Sequence, residues 1–171
     1  MNMEKKDEIK VRRCSWEEAP QIIRLVQEVW QQVPEKSWFA VDEDGYLDTV
    51  CRDGHTLLWG AFCGERLAAV LIVVLPVTDR YLDAWLPDPM LPVAYMDIVA
   101  VSPDFRGHRL QQRLMQGAEP ELRKQGIAYL QCTVHPDNIY SRNNIRALGY
   151  EELAEVSLYG GHPRVVLGKR L

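Results

Sequence analysis

The sequence predicts a mixed α/β (α+β) fold, a mostly antiparallel sheet of about seven strands flanked by helices. Three observations predict it. Short β-type runs joined by tight turns stand towards both ends of the chain and imply antiparallel flanks. Between them, Val93 to Val134 reads as strand, helix, strand, which implies one parallel pair with a right-handed crossover. The 171 residues, 47% of them hydrophobic, suit one domain; a chain of this size buries roughly 68–70% of its unfolded surface without a disulfide or metal staple.

Taken in order, Ile9 to Arg13 alternates and reads as the first strand. Ser15 with Glu18 has the form of a capping box, and Trp16, Ala19, Ile22, Ile23, Val26 and Trp30 then fall at helical spacing. Pro20 sits awkwardly for a Ser15 cap, so the helix starts either there or at Pro20, where a missing N–H costs nothing. It ends near Val33–Pro34. A short helix is expected around Tyr46, Leu47, Val50 and Cys51. The acidic run Asp42, Glu43, Asp44 and Asp48 lacks calcium-loop spacing and reads as a solvated helix start. Thr56 to Phe62 and Leu67 to Leu75 make a hairpin around Cys63-Gly64-Glu65-Arg66.

Pro76 to Pro92 carries Pro87 and Pro89 besides its two ends, plus Tyr81 and Trp85. It reads as a long irregular connection, the kind of loop that often carries function. Val93 to Val101 is the next strand. A long helix follows from about Gly107 to Gln125, with the stripe Leu110, Leu114, Ala118 and Leu122 and a kink expected at Pro120. Ala128 to Val134 is a strand, and Tyr140 to Leu148 a helix that stops at Gly149. Tyr150 to Tyr159 and Arg164 to Leu171 close the sheet around Gly160-Gly161.

A net charge of −4 argues against general nucleic-acid binding, which needs a basic face to displace counterions. No run of about 18 apolar residues is present to span a membrane. Met1 to Lys10 is charged and does not resemble a secretory signal. Cys14, Cys51, Cys63 and Cys132 lie far apart, without the spacing of a zinc site, and read as reduced thiols in a cytoplasmic protein.

Chemistry concentrates where the strand Met96-Asp97-Ile98-Val99-Ala100-Val101 runs into Ser102-Pro103-Asp104-Phe105-Arg106-Gly107-His108-Arg109-Leu110. A strand, a turn and a helix start make an anion site. The first helical N–H groups have no intrahelical partner, and the helix dipole adds positive charge. Arg106, His108 and Arg109 add donors, so a phosphate or pyrophosphate is expected here. No Gly-Lys-Ser/Thr follows, which excludes a nucleotide-binding P-loop, and a single glycine excludes a dinucleotide fingerprint.

Val101 to Gln111 resembles motif A of the GNAT superfamily of N-acetyltransferases, Val-x-Pro-x-Tyr/Phe-Arg-Gly-x-Gly-x-Gly/Ala. Val134 to Tyr150, with Asn138 and Leu148-Gly149-Tyr150, resembles motif B. The order of elements fits from Ile9 to Leu171. The resemblance implies a sheet splayed between its fourth and fifth strands and acetyl-CoA as co-substrate. The pyrophosphate would lie on backbone N–H groups of Arg106, Gly107, His108, Arg109, Leu110 and Gln111. The pantetheine arm would pair with Val99, Ala100 and Val101, and a fourth-strand N–H would polarise the acyl carbonyl. Asn138 and Ser141 match the residues beside the CoA arm. Arg109 and Gln111 depart from the family's small residues. Ile145 takes the place of the tyrosine that often protonates the leaving thiolate.

Three residues are candidates for acid–base work. Asp97, a lone charge in an apolar strand, would take the amine's proton or bind the amine. His135, at a strand end, suits a base near neutral pH. Tyr140 is a nearby proton donor. Cys132 reads as a buried thiol without a histidine to activate it. Trp38, Tyr81 and Trp85 would wall an acceptor pocket. The function implied is direct transfer of an acetyl group to a primary amine on a small molecule or peptide. A non-catalytic acyl-CoA sensor or structural module stays open because of Ile145. C-terminal edge strands offer a surface for a homodimer.

Overall fold

The structure, a computed structural model, describes residues 8–39 and 45–171. Eleven elements follow in order: β1 (Ile9–Cys14), α1 (Ala19–Gln32), α2 (Tyr46–Arg52), β2 (Thr56–Cys63), β3 (Arg66–Val74), β4 (Val93–Val101), α3 (Leu110–Lys124), β5 (Tyr129–Val134), α4 (Ile139–Ala147), β6 (Glu151–Leu158) and β7 (His162–Arg170). The strands form one sheet in the order β1-β2-β3-β4-β5-β7-β6. Among the described residues only β4 and β5 run parallel; the other five pairs are antiparallel. This is the mixed, mostly antiparallel sheet that the sequence predicts.

Both expected starts of the first helix are present, one after the other. The Ser15 N–H donates to the Glu18 carboxylate at 2.8 Å and caps a 3₁₀ turn over Trp16–Glu18. Pro20 then falls in the first turn of α1, where no helical donor is lost.

The long helix departs from expectation. It begins at Leu110 rather than near Gly107, because Gly107 (φ 86°) and Arg109 (φ 55°) both adopt left-handed backbone that no α-helix contains. As expected, Pro120 lies inside it, exposed, and the Gln116 carbonyl has no N–H from that position. The final strand starts at His162, two residues before the expected Arg164, and extends the hairpin with β6. Asp42, Glu43 and Asp44 lie outside the described residues. Asp48 is on the exposed side of α2, 3.9 Å from Arg52.

Helices cover both faces. On one, Ile22 and Val26 of α1 and Leu47 and Val50 of α2 pack on Leu58, Ile72, Ile98 and Ala100. On the other, Leu114, Ala118 and Leu122 of α3 and Ile145 of α4 pack on Leu71, Met96, Leu130 and Leu167. A third cluster forms where Leu82, in the long connection, seats on Val93, Tyr95, Tyr129 and Val166.

The register of β4 changes partway. Ile72 faces Ile98, but the next residue on β3, Val73, faces Met96. Asp97 is the extra residue of a β-bulge. Before the bulge Ala94 and Met96 point towards α3; after it Val99 and Val101 do. The α1–α2 face takes Ile98 and Ala100 beyond the bulge.

Candidate active site

β4 and β5 are hydrogen-bonded only over Val93–Tyr95 and Tyr129–Gln131. Past that point the two strands part, while β5 stays paired with β7 through Val134. A cleft therefore opens inside the sheet, bordered by Met96–Val101 on one side and Cys132–Val134 on the other.

Asp97 stands at its edge, half-buried, and accepts a hydrogen bond from the Tyr46 hydroxyl of α2 at 2.5 Å. Burial pushes its carboxyl up to about 6, against the opposing pull of that hydrogen bond. Tyr46 is itself raised, first by burial and then by the Asp97 charge, so its phenol remains a donor. The pair thus holds a carboxyl that can be either acid or base near neutral pH.

Further hydroxyls continue from there. The Tyr159 oxygen lies 3.0 Å from that of Tyr81 and 2.9 Å from Thr133 Oγ1 on β5. Tyr159 has φ 53°, a left-handed conformation that a bulky residue adopts at a cost, and it precedes Gly160 and Gly161 in the β6–β7 turn. Tyr81 also meets Tyr95 of β4 edge-on, with ring centres 5.2 Å apart.

His135 follows β5 directly and stacks on Trp38, centroids 6.1 Å apart. Its Nδ1 accepts the Asp137 N–H at 3.1 Å, which in the neutral ring leaves the proton on Nε2. Continuing the β5–β7 register places Arg164 across from it. Arg164 donates to the Ser37 carbonyl at 2.7 Å and to the Pro163 carbonyl at 2.6 Å. Its guanidinium lies 5.4 Å over the Tyr159 ring.

Trp85, expected to wall the acceptor pocket, lines another hollow with Tyr129, Leu153 and Lys169. Tyr140 is 72% exposed on the first turn of α4. Cys132 is buried, and burial pushes its thiol up to about 12, far from a reactive thiolate.

At the mouth of the cleft, Pro103–Phe105 forms a 3₁₀ turn after β4, held by an Arg66–Asp104 ion pair. The left-handed residues Gly107 and Arg109 turn the backbone so that successive N–H groups come round to α3. The first backbone bond of that helix runs from Arg113 to the Arg109 carbonyl, so Leu110, Gln111 and Gln112 start α3 with unspent N–H groups. Arg106, His108 and Arg109 are exposed around them. Behind them Gln111 donates to Ser141 Oγ at 2.9 Å and accepts from Asn144 at 3.2 Å, tying α3 to α4. Asn138 caps α4 by accepting the Ser141 N–H. Ile145 is 4% exposed in the main core.

A parallel pair splayed inside a mixed sheet, with a strand, a turn and an uncapped helix start at its mouth, is the frame of this site. The model of the acetyltransferase (GNAT) family matches residues 15–150, and the chain belongs to that family. Solved structures agree on the fold. The Escherichia coli ribosomal-protein-S18-alanine N-acetyltransferase superposes with a TM-score of 0.69 at 17% identity, over 95% of this chain and 94% of that one. PaiA N-acetyltransferase from Thermoplasma acidophilum, in complex with coenzyme A, gives 0.65 at 15% identity, over 96% and 99%. FeeM, an N-acyl amino acid synthase from uncultured soil microbes, gives 0.73 at 15% identity, over 95% and 91%. No curated protein matches the sequence.

Tyr46, Thr133, Tyr159 and Arg164 join the cleft without having been singled out from the sequence. Each stands in an ordinary helix, strand or turn pattern, and only the splay brings them together.

Proposed function

We propose that this protein transfers an acetyl group from acetyl-CoA directly to a primary amine in a ternary complex, with the whole chain acting as one acyl-CoA-binding domain. The observation that carries the reading is Asp97, set by the bulge at the splay and held by Tyr46 with its carboxyl near 6. The family membership and the CoA-bound neighbour support acyl-CoA as donor. In this reading the pyrophosphate takes N–H groups from Gly107 to Gln111, since the Arg106 N–H, expected among them, already turns to the Pro103 carbonyl, and the pantetheine arm runs along Val99, Ala100 and Val101.

The amine arrives as an ammonium, with a lysine-like pKa near 10.4, and only its neutral form attacks. Asp97 takes the proton, the nitrogen bonds to the thioester carbon, and a β4 N–H beside the bulge steadies the oxyanion. The nitrogen then gives its second proton to water as the C–S bond breaks, and CoA leaves as thiolate, taking its proton from water. Replacing Asp97 by Asn is expected to lower kcat by about 10²–10⁴-fold and to remove the rise in rate through pH 6, with acetyl-CoA affinity unchanged. Release of free CoA thiol on adding amines is the assay. Ile145, packed in the core at the position where the family pattern often has a tyrosine, favours a second reading, an acyl-CoA sensor without transfer. Tight CoA binding with no thiol release from any amine selects it.

A further inference from the structure

Two charged side chains that are well buried in the described structure are treated differently. Glu119 is matched by Lys169 at 2.6 Å. Arg164 is 2% exposed, and no carboxylate among the described residues meets it. Its two hydrogen bonds go to backbone carbonyls of Ser37 and Pro163, both neutral. A guanidinium has five N–H donors in a planar fork, so three remain. An aromatic face, that of Tyr159, covers part of it. A buried cation held only by neutral groups is costly, and the cost is recovered when an anion arrives.

That anion is not the pyrophosphate in the proposed arrangement. Arg164 shares a face of β7 with Val166, under the long connection, whereas α3 covers the opposite face. On its own face the guanidinium lies over the Tyr159 ring, whose phenol joins Thr133 and Tyr81 beside the splay and feels the Asp97 charge. Strands β4 and β7 are separated by β5, and past Tyr95 β4 also parts from β5, so at Asp97 and Arg164 the gap exceeds two ordinary strand spacings, about 10 Å. Side chains reaching inward from both leave room for a small molecule with opposite charges at its two ends.

We infer that Arg164 binds the carboxylate of an acceptor whose amine faces Asp97 and Tyr46, so that the substrate is a free amino acid. This rests on the transfer reading above. The planar fork matches a carboxylate in two hydrogen bonds. A single cation suits a singly charged acid group better than a phosphate.

The test compares matched acceptors by CoA thiol release from acetyl-CoA, corrected for free-amine fraction. Phenylalanine is set against phenethylamine and phenylalaninamide, and leucine against 3-methylbutylamine and leucinamide. The parent is expected to favour each amino acid over its partners that lack the carboxylate by about 10–100-fold in kcat/KM. Arg164→Met brings that ratio to near one, while Arg164→Lys, which keeps a cation, retains part of it. Equal rates for both partners in the parent overturn the inference, as does a preference that survives Arg164→Met or a stronger preference for phosphoethanolamine. If no amine releases thiol, the transfer reading fails, and calorimetry then decides the carboxylate site by itself. Phenylalanine binding to the CoA-loaded parent, lost in Arg164→Met and kept in part in Arg164→Lys, supports it. Equal binding to parent and Arg164→Met refutes it.

Discussion

At the scale of single residues, Asp97 and Arg109 each carry a cost that the fold tolerates. The Asp97 carboxyl is raised from the ordinary carboxylate range to about 6, so the folded chain holds that proton more tightly than the unfolded one. Its contribution to stability is intact below about pH 4 and is lost as pH rises through 6. Asp97→Asn, which can still accept from Tyr46, is therefore expected to be more stable than the parent at pH 8, by at most about 3 kcal/mol, and equal to it at pH 4. Thermal melts at the two pH values check both the sign and the window. Arg109 sits at φ 55°, where a side chain costs roughly 1–2 kcal/mol and glycine almost nothing. Arg109→Gly should raise the melting temperature by about 2–4 °C per kcal/mol recovered. The same change removes a cation from the anion turn, so CoA affinity falls and depends less steeply on salt. The motif alone showed that Arg109 replaces a glycine; the positive φ supplies the reason glycine is usual there.

Elements were legible where periodicity was strong. β2, β3, β4 and β5 fall within a residue of expectation, because alternating or continuous apolar runs are bounded by turn residues. The start of α3 was misplaced because spacing reports the buried stripe from Leu110 onward and says nothing of the left-handed residues before it. The β4 bulge was not legible at all. Asp97 was noticed as a lone charge, but an inserted residue shows only against a partner strand. The same limit hides why Gly168 is glycine in the middle of β7. A Cβ there would sit 2.6 Å from Tyr129 Cε1 and 2.7 Å from its Cζ, against a ring buried beneath Val93 and Leu82. Gly168→Ala is expected to destabilise the protein by about 1–3 kcal/mol, read as a lower midpoint in urea with the slope unchanged.

At the scale of the whole molecule, the sequence carried the topology and the anion turn, while the acceptor side stayed hidden. Motif A lies on eleven consecutive residues. The aromatic and charged lining comes from α2, the long connection, β5, the β6–β7 turn and β7, which no local pattern joins. The splay has a consequence for how the molecule opens. Where β4 and β5 part, backbone groups on their facing sides have lost the ladder that most interior strands enjoy. The sheet is in effect a four-stranded and a three-stranded piece, riveted by three residue pairs at one end and by helices on either face. Amide protons of Cys132–Val134 that face the gap should trade with deuterium by local opening, orders of magnitude sooner than those of Val70–Ile72 inside the larger piece. An acyl-CoA arm lying in the gap as an added strand should slow that exchange without altering the rest of the sheet. The seam is thus the weakest part of the core and the part a ligand can stiffen most.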